Sequence, residues 1–130
     1  MKPSETYDVY WIFGERKVGK YPSHTSRGGK WLVFCPVEII DKTWETIRGA
    51  LICGKLGSTA KVSTRRPNPN STDPNTGVIC VYTYDSDDNE DVMEIRETLR
   101  DLGFVRRLLY KTDQATRERK YGPRVFKYSN

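Results

Sequence analysis

Residues 78–92 read VICVYTYDSDDNEDV, and this stretch decides the fold. Its first seven residues are β-branched, aromatic or thiol-bearing, with no glycine, proline or charge among them. Such a run reads as a strand near the middle of a sheet. The acids that follow suit a helix start, where the positive end of the helix dipole favours them. Val92, Ile95, Leu99 and Leu102 then recur at helical spacing, and Gly103 stands where a helix would stop.

Working outward, TAKVST at 59–64 alternates, with Ala60 and Val62 on one face and Lys61 and Ser63 on the other. Between the two strands, RRPNPNSTDPNTG at 65–77 is a loop, since its prolines and asparagines break a ladder. Upstream, Trp44, Ile47 and Leu51 mark a helix from an N-cap at Asp41 to about Cys53, with Gly54 as its C-terminal cap. KWLVFC at 30–35 is a short strand ended by Pro36, and residues 7–13 form another. Residues 14–29, rich in Gly, Lys, Arg and Ser, read as a long mobile loop. Downstream come a strand at 107–111, a short polar helix at 113–120 and a last strand at 124–128. The order β-β-α-β-β-α-β-(α)-β predicts an α+β domain. Its curved, mostly antiparallel sheet carries two main helices on one face and leaves the other open.

The chain has 130 residues, which fits one domain over residues 1–130. Its 3 Trp, 8 Tyr and 4 Phe are far too many for a disordered chain. Net charge is +5, with acids crowded at 85–91 and bases at 106–127, an asymmetry that points to an anionic partner. Cys35, Cys53 and Cys80 are odd in number and lie in apolar runs, so they read as buried free thiols of a reducing compartment. No stretch approaches the roughly 18 apolar residues of a membrane span, and no apolar leader follows Met1. The expectation is a cytoplasmic protein without a membrane partner.

Several motifs together carry a resemblance: KWLVFC, AKVST, the asparagine-rich loop, VICVYTYDSDDNEDV, LRDLG and YKTDQAT. As a set they resemble the basophilic-leukaemia-expressed protein family, over roughly residues 11–121. The resemblance implies a fold like that of the cap-binding translation initiation factor. Bacterial relatives look like phosphothreonine lyase domain proteins, and this implies a catalytic assignment. Lys61 of KVST matches the lyases' base lysine, and Lys30 of KWL the first lysine of their KxH motif. The KxH histidine, which is the lyases' acid, is Leu32 here. The single histidine, His24, lies six residues before Lys30 and reaches that position only by folding back. For the phosphate-holding arginines, Arg65, Arg66, Arg119 and Arg124 are all candidates.

Read from the residues, Lys30, Lys61, Lys111 and Arg65 sit on separate strands or strand ends. They converge on one open face if the sheet forms as predicted, and several inward donors are what phosphate binding needs. Trp11, Tyr82 and Tyr84 accompany them, and aromatic faces beside cations suit a nucleotide base. Trp31 and Trp44 fall in apolar patterns and read as core. The acids from Asp85 do not make a calcium loop, because Glu90 and Arg96 stand where that loop needs Gly and Glu. No cysteine or histidine cluster has metal spacing, and no cofactor motif occurs.

Two classes of function follow, both on a phosphorylated ligand: nucleotide, RNA or phosphopeptide. In the first, Lys61 takes a proton β to the phosphate while Lys30, Arg65 and Arg119 neutralise it. In the second, the same cations grip a nucleotide or RNA without catalysis, and Trp11 or Tyr84 stacks the base. A protein-interaction or inhibitor domain using the sheet edge or loops is a third class.

Overall fold

The computed structural model describes residues 1–68, 73–118 and 126–130. Its strands are β1 (Trp11–Glu15), β2 (Gly29–Pro36), β3 (Thr59–Ser63), β4 (Thr76–Thr83), β5 (Leu109–Thr112) and β6 (Tyr128–Ser129). The helices are α1 (Ile40–Ile52), α2 (Asn89–Asp101) and α3 (Asp113–Arg117). The strands form one curved sheet in the order β1-β3-β4-β2-β5-β6, every pairing antiparallel. The element order and the central place of β4 are those expected from the sequence.

Register explains which residues share a face. Trp31 lies opposite Val81 and Tyr110, Val33 opposite Ile79, and Ala60 and Val62 opposite Val81 and Ile79. This face meets Trp44, Ile47 and Leu51 of α1 and Val92, Ile95 and Leu99 of α2. Each such side chain, fully buried, contributes about 1.5–3 kcal/mol of hydrophobic stabilisation. Trp31 and Trp44 are core, as predicted, and the Trp31 indole N–H donates to the Val92 carbonyl at 3.0 Å.

The helix ends follow local chemistry. Gly54 (φ 78°) and Gly103 (φ 108°) take the left-handed conformation that glycine adopts without strain, just past α1 and α2. Asp88 caps α2, its carboxylate accepting from the Asp91 N–H at 3.1 Å. Asp41 is not the N-cap of α1, which is Ile39. It lies in the first turn and accepts from Ser4 N (2.9 Å) and Ser4 Oγ (2.5 Å), pinning the N-terminal 3₁₀ turn Pro3–Glu5 to the helix.

Other expectations change. Residues 7–10 stay out of the ladder, because Thr64 and Arg65 take the Thr6, Val9 and Tyr10 carbonyls at a turn after β3. The segment expected to be a mobile loop is shorter and tied down. Arg16 donates to the Val18 and Leu56 carbonyls, Tyr21 Oη donates to Asp91 at 2.6 Å, and Arg27 grips Asp85 with two nitrogens. Cys35 and Cys80 are buried free thiols, but Cys53 is exposed, since it falls at the C-cap of α1 on the solvent side. β5 starts at Leu109 and α3 ends at Arg117, and only the Tyr128 end of the last predicted strand lies among the described residues. No helix among the described residues is long and apolar enough to cross a membrane.

Candidate functional site

Alternation dictates that the residues between the core positions point the other way. On β2 these are Lys30, Leu32 and Phe34; on β4, Val78, Cys80 and Tyr82; on β3, Lys61 and Ser63; on β1, Trp11 and Phe13; on β5, Leu109 and Lys111. Lys30 is the direct partner of both Tyr82 and Lys111, and Lys61 of Cys80. Three lysines from three strands therefore share one face, as the sequence suggested.

Two like charges directly opposite on neighbouring strands destabilise a sheet, so the Lys30–Lys111 pair needs compensation. α3 supplies part of it. Its first residue, Asp113, takes the Lys30 ammonium at 3.3 Å, and Thr116 Oγ1 accepts from the same nitrogen at 2.7 Å. This short helix lies against Lys30, which, like Lys111, is only 6% exposed. Burial, and then the charge of Lys30, pull the Lys111 pKa below the ordinary lysine value.

Lys61 stands nearer solvent. Its Nζ sits 3.9 Å above the centre of the Trp11 ring and 5.9 Å from that of Tyr82. Burial is the main reason its pKa is lowered, with Lys30 adding to the fall while Cys80 and Asp113 oppose it. Beneath it, burial pushes the Cys80 thiol up to about 11, so the sulfur is protonated at neutral pH and no nucleophile.

His24 does fold back. Its Nε2 lies 2.5 Å from Asp113 Oδ2, and its ring stands edge-on to Tyr82 at 6.1 Å. Gly28 makes room: a side chain there would collide with the imidazole. One carboxylate thus joins His24 and Lys30. Leu32, at the position matching the acid of the lyase motif, is buried and has no proton to give.

Not every candidate reaches this cluster. Arg66 donates to the Asp8 carbonyl at 2.8 Å and covers the Tyr10 ring at 4.4 Å, so it serves the N-terminal segment. Arg65 follows the end of β3 with its N–H on the Thr6 carbonyl, at the Trp11 end of the sheet. Tyr84 lies past the end of β4. Its hydroxyl donates to Asp88 and its ring packs edge-on against Tyr21 at 5.5 Å, which draws it to the start of α2 and away from the lysines. Trp11 and Tyr84 are both half-buried. Arg119 and Arg124 lie outside the described residues. Asp113 and Thr116 were missed as site residues, although YKTDQAT contains both. The signal was their helical spacing at the end of a strand bearing a lysine. Among the described residues no group of three or more His, Cys, Asp or Glu side chains is placed to hold a metal ion.

The arrangement can bind an anion. Among the described residues Lys30 and Lys111 are buried, Lys61 stands at the rim, Asp113 is the carboxylate on Lys30, and aromatic rings stand beside them. Comparison with known structures adds the fold-level context. The chain is similar to a schistosome eIF4E complexed with m7GpppA and 4E-BP, with a TM-score of 0.61 at 14% identity, over 80% of this chain and 59% of that one. This chain therefore spans about three-fifths of that protein's length, and identity so low carries the fold alone. The family model of the basophilic leukemia-expressed protein Bles03 matches residues 22–117, a span that includes His24, the three lysines, Tyr82, Asp113 and Thr116, and the chain belongs to that family.

Proposed function

We propose that the open sheet face binds a nucleotide, its phosphates held by Lys30, Lys61 and Lys111 and its base stacked on Trp11. The observation that carries this is Lys61 Nζ resting 3.9 Å above the Trp11 ring, beside the directly opposed Lys30 and Lys111. An incoming phosphate draws Lys61 off the indole, and the base takes its place on the ring. The exchange costs little, since an exposed cation–π contact is worth about 0.5–1 kcal/mol and a stacked base about 1–3 kcal/mol. The solved structure of similar fold was complexed with a nucleotide, m7GpppA, and with 4E-BP, which supports nucleotides and polypeptides as classes to try.

The test is a titration of purified protein with nucleoside mono-, di- and triphosphates, m7GpppA, a phosphothreonine peptide and inorganic phosphate, at low and physiological salt. Thermal shift and calorimetry are the readouts. Nucleotide binding that weakens with salt and is lost in Lys61→Ala is the expected result. Release of phosphate from the phosphothreonine peptide, dependent on Lys61, would replace binding with the elimination chemistry that the lyase resemblance implied. Silence toward every phosphate would sink the phosphate site and favour a protein-interaction domain.

A further inference from the structure

Two large aromatic side chains on the same face have no part in that site. Phe13 is 61% exposed and Phe34 51%, although each stands on a strand of the sheet. Single exposed apolar residues need no explanation, but the register of these two does.

Trp11 lies opposite Ser63, Ser63 Oγ accepts from the Val78 N–H, and Val78 lies opposite Phe34. A row across four strands thus has an aromatic ring at each end and small side chains between. At about 4.8 Å per strand the rings stand roughly 14 Å apart. The next row runs from Phe13 through Lys61 and Cys80 to Leu32, and the one beyond it holds Tyr82, Lys30 and Lys111. Rings and cations interleave along these rows: Phe13 is the direct partner of Lys61, whose ammonium lies over Trp11, and Tyr82 is the direct partner of Lys30. Glu15, a strand carboxylate on this face, is engaged by Lys17 at 3.7 Å.

From this interleaving of exposed rings with cations we infer that the ligand of the open face is a single-stranded nucleic acid of several nucleotides, crossing the strands from β1 to β2. Its bases rest on Trp11, Phe13 and Phe34, and its phosphates follow Lys61 toward the Lys30 end of the face. The inference rests on the nucleotide-binding reading above and extends it from one nucleotide to a strand. Unpaired bases are required, because exposed rings stack on base planes that a duplex hides. The lysines supply the charge complementarity that a purely apolar docking face lacks.

The experiment is fluorescence anisotropy with uridine oligonucleotides of increasing length and their deoxythymidine counterparts, alongside calorimetry with UMP, on wild type, Phe13→Ser/Phe34→Ser and Lys61→Ala. Circular dichroism confirms that each variant is folded. Affinity should climb with length to a plateau, and the double phenylalanine variant should lose roughly ten-fold or more of that gain while still binding UMP like wild type. Lys61→Ala should weaken both. Preference for ribose assigns RNA, and equal binding assigns any single strand; both uphold the inference. UMP binding with no gain for longer strands, or a double variant that binds oligonucleotides like wild type, overturns the inference and leaves the nucleotide site standing. No binding of either ligand overturns both.

Discussion

Strand β2 places Trp31, Val33 and Cys35 against the helices and Lys30, Leu32 and Phe34 on the opposite side. The two faces use the same residue types for opposite ends. On the helix side, aromatic rings are sealed and their polar atoms satisfied: Trp31 meets Tyr110 edge-on at 5.2 Å, and the Tyr110 hydroxyl shares a 2.6 Å hydrogen bond with Thr83. On the other side Phe13 and Phe34 stay half in water, and the Lys61 ammonium lies over the half-buried Trp11 ring. One face has its packing energy already realised. The other leaves apolar area in contact with water beside like charges on neighbouring strands.

Trp31→Ala tests the sealed face and should have the largest effect, about 3–5 kcal/mol of stability, read as a fall in the urea midpoint. A loss below about 1 kcal/mol would mean that this face is not packed as a unit. Arg96 comes next. It is fully buried on α2 and donates to three carbonyls, Asn130 at 2.6 Å, Phe104 at 2.9 Å and Arg106 at 2.8 Å, tying the chain end and the post-helix loop together. Arg96→Met should cost about 2–3 kcal/mol, because the three acceptors lose their donors. Arg96→Lys should recover only part, having no planar fork. Wild-type stability in the methionine variant would show that water replaces the guanidinium.

On the open face the effects should be small in stability and large in binding. Burial holds the Lys61 pKa below the 10.5 of an ordinary lysine. Between those two values the unfolded chain keeps a proton that the folded one has released, so stability rises with pH across that window. Lys61→Ala should show a shallower rise, because Lys111, whose pKa is also lowered, still contributes in the same direction, and urea midpoints of both proteins from neutral to alkaline pH will show it. Ligand affinity should fall through the same window as the ammonium is lost; affinity that stays level would remove Lys61 from the site. Smallest of all, Phe34→Ser should change stability by no more than about 0.5 kcal/mol. A larger loss would put Phe34 in a packed role and blur the contrast between the faces.

The contrast itself was legible in the sequence. TAKVST already separates Ala60 and Val62 from Lys61 and Ser63, and VICVYTY is continuous enough to be a central strand. The spacing of Trp44, Ile47 and Leu51 and of Val92, Ile95 and Leu99, with Gly54 and Gly103 beyond, located both main helices. Less legible were the ends. Asp41 looked like a cap and is instead a clamp for Ser4, because a carboxylate near a helix start suits both uses. Residues 7–10 looked like strand, but the turn after β3 takes their carbonyls.

What the sequence determined by itself was periodic and local: which residues alternate, where helices begin and end, and that cations and small polar groups share one face of the strands. These follow from side-chain spacing within a few residues and survive any tertiary arrangement. What only the tertiary structure decided was how that face is furnished. His24 reaches Asp113 across 89 positions, Lys30 reaches it across 83, and α3 folds onto Lys30 at one end of the sheet. Such meetings depend on which strands become neighbours and on the entropy of closing long loops, and no local pattern encodes either.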